Sequence, residues 1–123
     1  MKSIDYDGLM QANAVRVFSE RDPTRRLAAI RELYAADAVL TEPEGVFKGE
    51  AAIRDAITEL LSKLPPEFAF TPIGAAIGHH SVGRLLWRAG APNGPPAFTG
   101  MDVAHFKDGR FQALYVFLDP AVA

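Results

Sequence analysis

Cysteine is absent from the 123-residue chain. That excludes disulfides, thiol nucleophiles and thiolate metal sites together. A charge excess of one sign is also missing, because the formal net charge is −2 and acidic and basic residues are interspersed along the chain. Such a pattern builds no basic stripe for nucleic acid and no polybasic cluster for a membrane surface. No apolar run approaches the ~20 residues that span a bilayer. The opening Met1-Lys2-Ser3-Ile4-Asp5-Tyr6-Asp7 lacks the apolar stretch of a secretory signal. P-loop, dinucleotide-glycine and G-x-S-x-G motifs do not occur. The expectation is a soluble, cytoplasmic chain with no nucleic-acid or membrane partner and no cofactor.

What is present is an ordinary globular balance, 49% hydrophobic and 23% charged. The length fits one domain over residues 1–123, and a chain of this size buries roughly two-thirds of its unfolded surface. The first third reads as helical, with Met10, Ala14 and Val17/Phe18 at helical spacing. Asp22-Pro23 interrupts it, and Asp22 or Thr24 can cap a second helix carrying Leu27, Ile30, Leu33 and Tyr34 on one face. A short strand over about Ala38–Glu42 follows. A third helix shows Ile53, Ala56, Ile57, Leu60, Leu61 and Leu64 as its apolar stripe and ends at Pro65-Pro66. Beyond it come four extended segments, about 67–77, 80–90, 97–107 and 110–119, with Asp108-Gly109 marking a hairpin. Helices followed by strands predict an α+β fold, with three N-terminal helices packed on one face of a mostly antiparallel sheet.

Two stretches carry a resemblance to a known family. "IRELYAADAVLTEPEGVFKGEAAIRD" and "TGMDVAHFKDGRFQALYVFLDP" are similar to the strand-and-turn passage and the final hairpin of the NTF2-like superfamily, which includes ketosteroid isomerases and SnoaL-like polyketide cyclases. The resemblance implies a strongly curved sheet closed against helices into a cone with an internal apolar pocket. It also implies isomerase, cyclase or lyase chemistry by proton transfer on an apolar, carbonyl-containing ligand.

The implied catalytic pair is Glu42 and Asp102. The isomerases place an acidic base before a Pro at the end of the first strand, where this chain has Glu42-Pro43. Strand parity agrees, since Glu42 shares a face with the apolar Leu40. Asp102 stands in "AFTGMDVAHF" with Phe98, Gly100, Ala104 and Phe106 on its face. A carboxyl on an apolar face is costly unless it is paired, hydrogen-bonded or protonated. The isomerases keep such an Asp protonated as a hydrogen-bond donor to the enolate. In the same alignment their first-helix Tyr falls on Phe18, which has no hydroxyl. Tyr34 and Tyr115 stay open as substitutes.

Phe18, Trp87, Phe98 and His80 are the expected ligand-binding residues, with either His79 or His80 turned toward the pocket. Adjacent strand residues point to opposite faces, so His79 and His80 are not expected to share a metal ion. His105 faces away from Asp102, and no metal site is expected. Arg84 and Arg88 are placed on the outer sheet face, where the resemblance implies a homodimer. Two other readings of the same fold are a non-catalytic ligand-binding or interaction domain and an epoxide hydrolase. The hydrolase lacks its Asp-Arg-Asp set here and ranks last.

Overall fold

Two aspartates start the first two helices. Asp5 accepts the Gly8 amide at 2.9 Å and Asp22 the Thr24 amide at 3.0 Å. Each satisfies a donor that a first helical turn leaves open. The computed structural model describes residues 3–120. Helix α1, Tyr6–Ala12, continues without a break into a π-helical segment, Asn13–Phe18. The Ser19 amide closes that segment on the Ala14 carbonyl at 3.0 Å. Widening the turn brings Asn13, Ala14, Val17 and Phe18 into the interior together.

Helix α2, Pro23–Leu33, stops one residue before the sequence pattern suggests. Tyr34 is extended and opens strand β1, Tyr34–Glu42. Its ring stacks on Phe111 at 4.8 Å, and the two residues pair in the sheet. That tertiary pairing overrides the helical spacing. Strand β1 is longer than expected because a register shift between Tyr34 and Val39 exposes Ala36 and Asp37 and hides the early alternation. Strand β2, Gly45–Lys48, occupies what the sequence suggested was only a turn, and it pairs back on Val39–Glu42. Gly49, at φ 92, then turns the chain into helix α3, Glu50–Ser62. A side-chain-bearing residue would be strained there.

Strands β3 Ala69–His79, β4 Val82–Gly90, β5 Phe98–Lys107 and β6 Arg110–Leu118 complete one sheet in the order β2-β1-β6-β5-β4-β3. Every pair is antiparallel except β1 with β6. The fold is therefore α+β, three helices on a mixed, mostly antiparallel sheet. Helix α1 lies against β3 and β4, and α3 against β1 and β2. The covered face carries Leu40, Leu85, Trp87, Ala89, Ala104, Phe106 and Leu114, all buried. Two arginines lock the layers. Arg110 donates to the carbonyls of Arg31 and Glu32 at 2.8 and 2.9 Å, capping the end of α2. Arg21 donates to the carbonyls of Leu61, Pro65 and Phe68, fixing the end of α3 and the loop after it.

Candidate functional site

Glycine at position 100 decides how Trp87 lies. The two are cross-strand partners on β5 and β4. A Cβ on residue 100 would stand 2.4 Å from Trp87 Cζ2. Without one, the indole can lie over the glycine, and its Nε1 donates to Asp102 Oδ1 at 2.9 Å. Phe70 meets the Trp87 ring edge-on at 5.2 Å, while Phe18 and Phe98 stand 5.8 and 6.2 Å from Phe70. Edge-to-face contacts of this kind add about 0.5–1.5 kcal/mol each beyond area burial.

These four rings wall a cavity of about 430 Å³, within the range of small-molecule sites. Its opposite side comes from the β1–β2 hairpin and from α3 and its C-cap, which supply Ala56 and Leu60 together with Asp55, Glu59 and Lys63. Glu42 and Asp102 both line it. The register explains why. Leu40 pairs with Leu114, and Leu114 with Ala104. Two residues along each strand, Glu42, Val116 and Asp102 fall on the same face. Two strand spacings place the carboxyl-bearing backbones about 10 Å apart.

The surroundings of the two carboxyls differ. Asp102 is 5% exposed, and Trp87 is its one protein hydrogen-bond donor among the described residues. Burial pushes its carboxyl from 3.8 up to about 7, opposed by the Trp87 bond, which favours the charged form. Glu42 is half-buried. Its carboxyl is raised first by burial and then by the charge of Glu44, with Lys63 acting in the other direction.

Residues 13–114 match the SnoaL-like domain family. The chain belongs to that family. No curated protein matches it. Among solved structures, a SnoaL-like family protein from Agrobacterium tumefaciens, named as a candidate isomerase, is 25% identical with a TM-score of 0.85. The match covers 94% of this chain and 97% of that one. A candidate polyketide cyclase from Sinorhizobium meliloti is 18% identical with a TM-score of 0.71, covering 94% and 99%. TerC, co-crystallised with polyporic acid, is 16% identical with a TM-score of 0.68, covering 91% and 89%. Further structural neighbours are named for NTF2-like and cystatin-like folds, and one as a candidate ketosteroid isomerase.

Of the ligand-binding residues expected from the sequence, the SnoaL-like cavity gathers Phe18, Trp87 and Phe98. His80 is a correction: it does not reach the cavity. Strand β3 ends at His79, and His80 and Ser81, at φ 50 and 69, form the turn to β4. Both histidines are exposed, and their Nδ1 atoms approach to 2.9 Å. Strand parity fails at that point because the chain has left the strand. No group of three or more metal-ligating side chains occurs among the described residues. Tyr115 is exposed on the outer sheet face. Tyr34 is buried and donates to Asn13 Oδ1; burial and then the Asp102 charge raise its hydroxyl well above the ordinary value. Neither tyrosine is part of the cavity lining, and no hydroxyl side chain is found there among the described residues. Phe70 and Phe47, also in the lining, were not legible. Pro72 and Gly74 spoil the alternation around Phe70, and Phe47 sits on the unforeseen β2.

Proposed function

We propose that this SnoaL-like chain is a small-molecule enzyme, an isomerase, cyclase or lyase, acting by proton transfer on an apolar carbonyl-containing ligand. The observation that carries the reading is the shared cavity: Glu42 and Asp102 face one apolar space from unlike surroundings. The Glu42 carboxylate removes a proton from the carbon next to the carbonyl, with its raised pKa making it a stronger base. The electron pair moves onto the carbonyl oxygen. Protonated Asp102 hydrogen-bonds that enolate oxygen, and its pKa near 7 keeps a large protonated fraction at neutral pH. Glu42 then returns the proton, to the same carbon or to another along the conjugated system. Phe18, Trp87 and Phe98 hold the apolar body.

The test is solvent deuterium incorporation beside the carbonyl, followed by NMR over a panel of cyclic ketones. Exchange above the buffer rate is expected for the wild type and a loss of about 100-fold or more in Glu42→Gln. Undiminished exchange in that variant removes Glu42 as the base.

One observation favours a second reading, a non-catalytic carrier: among the described residues the cavity has no hydroxyl where the isomerases have a tyrosine. A ligand retained through purification and recovered chemically unchanged after long incubation supports it.

A second copy of the chain is the other partner we propose. Ile73, Leu86, Met101 and Phe117 are in register across β3, β4, β5 and β6 on the outer face. Ile73, Leu86 and Phe117 are exposed there, and the family resemblance supports a homodimer contact on this face.

A further inference from the structure

The charges around the cavity are one-sided. Its lining contains five carboxyls, Glu42, Glu44, Asp55, Glu59 and Asp102, and a single ammonium, Lys63. Lys63 is already engaged by Glu59 at 3.5 Å, and Asp55 by Arg54 at 2.9 Å. Glu42 ends β1 and Glu44 is the second residue of the two-residue turn into β2, and neither has an ion-pair partner among the described residues. The interior ends on Asp102, more than nine-tenths buried, whose single donor among the described residues is Trp87. Between the two ends stands the aromatic wall of Phe18, Phe70, Trp87 and Phe98, whose ring faces favour positive charge.

An apolar site rimmed by one sign of charge concentrates ligands of the opposite sign. We propose that the ligand is a cation: an apolar, ring-sized molecule bearing a protonated amine, with the amine held at the hairpin mouth by Glu44, in a negative field to which Glu42 adds. This assignment rests on the reading of the cavity as the ligand site and adds the charge class to it. The same arrangement rejects carboxylates, which would place a further negative charge beside two unpaired ones.

A matched series tests the charge class: 2-aminoindane, 2-indanol and indane-2-carboxylate, titrated into the wild-type protein at neutral pH. Heat is followed by calorimetry and the site by emission of Trp87, the only tryptophan of the chain. The amine is expected to bind about tenfold more tightly than the alcohol, and the carboxylate more weakly than either. The amine's advantage should shrink as salt is raised. It should also shrink in Glu44→Gln, read as the amine-to-alcohol ratio within that one variant. Equal affinity for amine and alcohol, or preference for the carboxylate, overturns the charge assignment and leaves the ligand cavity standing. No binding by any of the three overturns both.

Discussion

At the scale of single residues, Asp102 links the site to stability. Its carboxyl is raised from 3.8 to about 7 by burial, so on titration the unfolded chain gives up this proton before the folded one. The stability it contributes is greatest below about pH 4. It falls as pH rises, by up to about 1.4 kcal/mol per unit, and levels off above about pH 7. Asp102→Asn abolishes that titration. Urea unfolding at pH 5 and pH 8 should show a larger loss in the wild type than in the variant, and equal losses would place the Asp102 proton elsewhere. The sequence exposed this residue because a lone carboxyl among Phe98, Gly100, Ala104 and Phe106 is conspicuous. It did not reveal that Gly100 makes room for Trp87 or that Trp87 is the donor to Asp102, because both depend on cross-strand register.

Among the elements, the placing of α3 decides the cavity's width, and Arg21 governs it. Three carbonyls at the end of α3 and in the following loop accept from its guanidinium. Arg21→Met leaves those acceptors without their charged donor and should cost about 3 kcal/mol. An unchanged unfolding midpoint would show that the clamp is dispensable. Amide hydrogen exchange supplies a local check, since residues 61–68 should lose protection before the strands do. Helix α3 and the four late strands were legible from apolar periodicity and hairpin signals. The π-helical turn, the early start of β1 and all of β2 were not. The first two exist through partners distant in sequence, Phe70 against Phe18 and Phe111 against Tyr34, whereas β2 is a local hairpin on Val39–Glu42 whose four residues are too few to show an alternation.

On the scale of the whole molecule, the proposed dimer contact lies on the outer sheet face. Phe117 is 53% exposed and pairs with Met101 in the same row as Leu86 and Ile73. Sedimentation at micromolar concentration should give a dimer for the wild type and a monomer for Phe117→Asp, because a buried, unpaired carboxylate is costly at an interface. A monomeric wild type would remove the interface. Arg84 is exposed on the same face, beside Val103. An apolar row with a flanking guanidinium is compatible with an interface, since Arg is not depleted in such surfaces.

Composition and pattern determined the class of fold and the order of most elements, and the family resemblance added the two carboxyls worth following. Those features depend on neighbours close along the chain, where apolar spacing and turn residues act directly. Only the tertiary structure decided that Glu42 and Asp102 open onto one cavity, that His80 lies in a turn away from it, and that the cavity's rim is acidic. These outcomes depend on strand register, on where β3 stops, and on bringing the β1–β2 hairpin against α3. No local pattern encodes them.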